Sequence, residues 1–216
     1  SGQAIPEEIP LLFQLYQAYL LDPGFREDAY TLALNQIQQD YESLMNSIEG
    51  GMPLKGARFL AGGDSRFGLP DYEKLKTISL DDIRQWVQPS LAGAPLEISI
   101  AGDVDVEAVI GIAATYMGTL PARRQTTAID KTRLPKFPAG ESLTVPVPTK
   151  IDKGMVDVAY PTGDFWDIRR NRRLSILSEI LSDRMRIRIR DEMGAAYTLD
   201  AYNAPSRAYS GYGVLH

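Results

Sequence analysis

The stretch TLPARRQTTAIDKTRLPKFPAGE, residues 119–141, constrains this chain more than any other. It holds three prolines and no sustained apolar period, so it reads as a linker or a long crossover rather than a helix or a central strand. Before it, apolar residues recur at helical spacing; after it, the period falls to two. Two periodicities separated by a proline-rich segment predict two lobes, residues 1–122 and 142–216, with a linker over 123–141.

Charge divides at the same place. Residues 1–122 hold 7 Lys and Arg against 17 Asp and Glu, a net of −10, while residues 123–216 hold 16 against 11, a net of +5. Such a field can orient an acidic partner onto the second lobe, and it also fits ordinary solvated surface.

In the first lobe, LLFQLYQAYLL (residues 11–21) is apolar on most faces and predicts a largely buried helix, which DPG at 22–24 ends. Residues 25–48 run without Pro or Gly and carry an apolar stripe through Phe25, Ala29, Leu32, Ala33, Ile37, Tyr41, Leu44 and Ile48. That spacing predicts a long amphipathic helix. A short helix is expected over 54–61, and GGDSRFGLP (62–70) is a loop in which Phe67 serves better as an anchor than as a partner contact. Ser79 with Asp81 and Asp82 forms a helix start, and Pro89 is expected to follow the end of that helix near Trp86. Residues 96–101 alternate as a strand, and Asp105 caps a helix over 106–117. The turn between them lacks a P-loop lysine and the repeated glycines of a dinucleotide site, and its aspartates repel anions.

In the second lobe, residues 142–147 and 154–160 read as strands, the first made irregular by Pro146. A helix is expected from Asp167 to Met193, with Leu174, Ile176, Leu177, Ile180, Leu181 and Met185 apolar. Strands Ala196–Tyr202 and Tyr209–Val214 follow. The fold class is therefore α+β, with helices packed on one face of a mainly antiparallel sheet in each lobe. Both sheets are expected to be incomplete, so open edges favour self-association.

Residue types limit the chemistry. The chain has no cysteine and one histidine, His216, so it offers no disulfide, no thiol nucleophile, no Cys-based zinc site, no His-x-x-Glu-His motif and no Ser-His-Asp triad. No catalytic residue and no metal ligand is expected in it. The arginines of RRNRR (169–173) and of positions 184, 186, 188 and 190 are interleaved with carboxylates on several helix faces, which argues against nucleic acid. No apolar run is long enough for a membrane span. What stands out is Arg190 and Tyr197, on either side of the helix-ending Gly194. A cationic fork and a phenol hydroxyl there can point into one crevice; equally, the arginine can serve the helix C-terminus and the tyrosine the core.

SDRMRIRIRDEMGAAYTLDA (182–201) resembles the Arg…Gly-x-x-Tyr segment of the pitrilysin-like, or inverzincin, zinc metallopeptidases. TISLDDIRQWVQPSL (77–91) with LEISIAGDVDVEAVIGIAATYMGTLP (96–121) is similar to the unit that closes a domain in that family. The resemblance, covering roughly residues 77–215, implies a clamshell of two halves, each with two similar α/β domains. It implies zinc in the N-terminal half of the parent and none here, and matches Arg190 and Tyr197 to the pair that grips the substrate backbone and helps stabilise the tetrahedral intermediate. On this reading residues 1–122 end the parent's third domain and 142–216 begin its fourth, so the chain is a piece not active alone. Its expected partners are a peptide substrate and the zinc-binding N-terminal half. The acid-rich start and long helix resemble large bacterial members, often periplasmic. A catalytically silent structural or protein-interaction relative is the alternative.

Overall fold

A computed structural model describes residues 1–124, 134–150 and 152–216. Residues 125–133, within the expected linker, lie outside the described residues. The helices are α1 (Ile9–Leu21), α2 (Glu27–Met45), α3 (Ala57–Leu60), α4 (Tyr72–Leu75), α5 (Leu80–Gly93), α6 (Val106–Met117) and α7 (Ile168–Met185). A π-helical turn, Met52–Gly56, leads into α3, and a π-helical segment, Arg186–Glu192, extends α7. Strands β1 (Tyr160–Pro161), β2 (Asn203–Pro205) and β3 (Gly213–Leu215) form one antiparallel sheet in the order β1–β3–β2, and with the helices make the fold α+β. The chain divides into two compact units, Ser1–Ile37 with Glu73–Ile129, and Gln38–Tyr72 with Asp130–His216. Residues 38–72 thus group with the C-terminal residues rather than with the rest of 1–122.

In the first unit, Ile9 and Phe13 of α1 meet Val109 of α6, with Val104, Ile112 and Tyr116 packed around them. Polar links border this core: Gln14 Nε2 donates to Tyr116 Oη at 2.7 Å, and Gln17 Nε2 to the Tyr116 carbonyl at 2.8 Å. The helix starts match their sequence signals. Asp82 N–H donates to Ser79 Oγ and Ser79 N–H to Asp82 Oδ2, a reciprocal capping box, and the Ser79 hydrogen bond holds the Asp82 carboxyl below its usual range. Asp105 Oδ1 accepts from Ala108 N–H at 3.0 Å.

Two sequence expectations fail here. Helix α5 runs through Pro89 to Gly93 instead of stopping before it. Proline withholds the hydrogen bond that would reach the Gln85 carbonyl, but the far end of the helix has an external partner. The Arg123 guanidinium donates to the carbonyls of Leu91 and Ala94 at 2.9 and 3.0 Å, placing a cation on the negative end of the helix. Residues 96–101 are not a strand. Leu96, Ile98 and Ile100 are 40–46% exposed, and among the described residues no segment pairs with them, so alternation alone builds no ladder.

The second unit is organised by aromatic contacts and buried polar groups. Tyr41 is buried and donates to the Pro70 carbonyl at 2.8 Å. Loop 62–70 turns back on Phe67, whose ring lies 5.2 Å from Tyr209 and 5.3 Å from Tyr212, so the aromatic anchors the loop. Tyr212 Oη donates to the Leu60 carbonyl at 3.1 Å, and burial raises its pKa. Gly62 has a φ of +68°, and a Cβ there would sit 2.5 Å from the Lys136 carbonyl oxygen, so the close approach of the two segments requires glycine.

The strands are shorter than expected. The register pairs Asn203 with Leu215 and Pro205 with Gly213, and Tyr202 with His216 continues it through mutual backbone bonds. Residues 196–201 join no strand ladder among the described residues. Of 154–160 only Tyr160 joins the sheet, and 142–147 joins no ladder among the described residues. Phe13 is the most deeply buried large side chain of the first unit, at 2% exposure. Phe13→Ala should therefore destabilise that unit by about 3–5 kcal/mol, read as a lower denaturation midpoint.

Candidate functional site

Helix α7 leads into the segment that carries the candidate residues and is positioned by its polar side. Asn171 is buried, and its Nδ2 donates to the Asp164 and Phe165 carbonyls at 2.9 and 2.8 Å while its Oδ1 accepts from Asn203 Nδ2 at 3.1 Å. Two turns further on, Ser178 is buried and returns its hydroxyl to the Leu174 carbonyl. Ser182 Oγ accepts from Ala201 N–H at 2.8 Å. The apolar residues the sequence assigned to packing divide: Leu174, Leu181 and Met185 are half-buried, whereas Ile176, Leu177 and Ile180 are exposed at 63, 42 and 49%. The amide and hydroxyl contacts set the helix rotation, and these three are left facing outward.

From Arg186 the helix changes to π winding, which takes more residues per turn and re-aims the side chains that follow. Gly194 ends it in the left-handed region at a φ of +62°, with Gly194 N–H donating to the Arg190 carbonyl and Ala195 N–H to the Ile189 carbonyl. The alternating arginines then fare differently. Arg186 pairs with Asp183 and Asp191, and Arg188 with Glu192. Charge from Asp183 and Asp191 raises the Arg186 pKa, the Asp183 hydrogen bond first. Arg190 has no ion pair among the described residues; its guanidinium lies over the Tyr197 ring, 4.5 Å from the centroid.

The structure thus brings the two sequence-selected residues together across the Gly194 turn. Both are exposed, Tyr197 at 80%, and Tyr197 sits in a bend rather than at the start of a strand. The stack occupies one face of the guanidinium and leaves its N–H groups, with the phenol O–H, available as donors to an incoming carbonyl or oxyanion. Among the described residues no group of three or more His, Cys, Asp or Glu could hold a metal ion, so these residues do not fit a zinc site.

Sequence reasoning missed two features. His216 Nδ1 lies 3.0 Å from Asp157 Oδ2, and its ring stacks on Tyr202 with centroids 4.6 Å apart, joining the three segments at one end of the sheet. Asp164 accepts from the backbone N–H groups of Gly211 and Trp166, which holds its carboxyl below the usual range. Neither pairing has a local signal, because Asp157 and His216 are separated by 59 positions and Asp164 and Gly211 by 47. Because no atom lies within 4 Å of a Cβ built on Gly194, Gly194→Ala meets only the backbone penalty. It should cost about 1–2 kcal/mol and separate Arg190 from Tyr197, seen as changed Tyr197 ring shifts by NMR.

Residues 77–215 match the family model described as "Peptidase M16 inactive domain". Among curated proteins, the chloroplastic stromal processing peptidase of Oryza sativa subsp. indica is 28% identical over 130 residues, covering 59% of this chain and 10% of the relative. The protein of the same name from Arabidopsis thaliana is 28% identical over 110 residues, covering 51% of this chain and 9% of the relative. The chain thus spans about a tenth of the length of the curated relatives it matches. No solved structure matches it.

Proposed function

This chain belongs to the peptidase M16 inactive-domain family, and from that premise we propose that it is a noncatalytic, substrate-gripping portion of a larger zinc endopeptidase. In the parent it would work with an N-terminal half that holds zinc, on peptides or small proteins. Residues 1–122 would close one domain and 142–216 open the next. The reading rests above all on Arg190 and Tyr197, two exposed donor side chains stacked within 4.5 Å at a fixed helix end. The relatives' name, processing peptidase, supports polypeptide as the substrate class.

Chemically, the pair suits a carbonyl that gains negative charge. The guanidinium and the phenol would donate to the scissile carbonyl or its neighbours, and donors already in place stabilise developing charge without reorganising. The stack restrains both side chains before substrate arrives, which lowers the ordering cost of binding. As hydrogen-bond donors, both would bind and orient the carbonyl.

The same stack supports a second reading. An arginine already covered by a tyrosine ring is partly satisfied without substrate, as expected in a catalytically silent structural or protein-interaction relative. Turnover separates the two. In the full-length parent, Arg190→Ala and Tyr197→Phe should each lower turnover on the order of 100-fold, with zinc content unchanged. Near-normal turnover in both would favour the silent relative.

A further inference from the structure

The second unit contains a cavity of about 560 Å³ that the Arg190–Tyr197 pair does not line. Its floor is the π-turn and α3, including Met52, Gly56 and Phe59, and its walls include Val145, Met155 and Val156. Met155 and Val156 are 48 and 88% exposed, so the cavity is an open groove. The wall segments alternate apolar residues in period two, yet residues 142–146 and 154–158 make no backbone–backbone hydrogen bond among the described residues. Residues 154–158 also lead into β1, which pairs only with β3 and has its other edge open among the described residues.

Free backbone donors and acceptors beside apolar side chains recognise another extended backbone. Charge narrows the occupant. Of the charged residues lining the groove, Lys153 is paired with Glu49 and Asp157 with His216, whereas Glu141 has no ion pair among the described residues. We propose that this groove binds an extended polypeptide strand of alternating apolar residues with a basic side chain beside Glu141, which adds to the open edge of β1 and its continuation. The site deepens the peptide-gripping reading and rests on it for its role. It would hold a length of polypeptide away from the Arg190–Tyr197 pair.

The test uses the 216-residue chain and a fluorescein-labelled, end-blocked octapeptide of alternating valine and threonine with one central lysine. Saturable binding by anisotropy is expected, weakened about tenfold or more when alternate peptide nitrogens of the probe are methylated. Val156→Pro removes a wall N–H at an exposed position and should weaken binding similarly, and Glu141→Gln should weaken it less, while circular dichroism stays unchanged. Arg190→Ala should leave the affinity within about twofold. Undiminished binding of the methylated probe, or no saturation, would overturn the proposal. Cross-strand NMR contacts between 142–146 and 154–158 in the free chain would also overturn it, because the walls would then pair with each other. Binding abolished by Arg190→Ala and untouched by Val156→Pro would overturn the groove and leave the Arg190–Tyr197 reading standing.

Discussion

Asn171 is a buried amide in a helix that otherwise has little to pack with. It donates to the Asp164 and Phe165 carbonyls and accepts from Asn203, so one side chain joins α7, the loop after β1 and strand β2. A buried polar group left unpaired is costly, and the alternative orientations of α7 would leave these groups unpaired. Its contacts set the rotation of α7, reinforced downstream where Ser182 meets Ala201. The direction of the π-helical extension, and so the place of Arg190, follows from that rotation. An apolar residue at 171 would satisfy none of the three neighbours.

The groups that present Arg190 and Tyr197 are of three kinds, each with a separate physical basis. The π winding changes which residues face outward, Gly194 supplies the left-handed turn, and the cation–π stack joins the two side chains across it. Arg186 and Arg188 are occupied by neighbouring carboxylates, which leaves Arg190 as the member of that run engaged with an aromatic ring.

Features that depend on neighbours in sequence were legible from the residues. The Ser79–Asp82 box, the Asp105 cap and the Gly194 stop each involve groups within a few positions, and the helices they bound lie near where the periodicity puts them. Features that depend on a distant partner were not. Residues 96–101 and 196–201 have strand composition but no facing strand among the described residues, and Pro89 stays inside α5 where Arg123, far along the chain, holds the end of the helix. Ile176, Leu177 and Ile180 have core composition, yet the Asn171 contacts turn them outward. For the candidate site, spacing around Gly194 drew attention to Arg190 and Tyr197 while leaving a packing role open, and it did not show that one would cover the other.

We propose that this chain holds substrate for zinc chemistry located elsewhere in a longer protein. Zinc stoichiometry and peptide cleavage, measured side by side on the full-length parent and on this chain alone, test it most directly. Bound zinc and cleavage are expected in the parent, with neither in the isolated chain. Cleavage by the isolated chain, or a full-length parent with neither zinc nor activity, would contradict it.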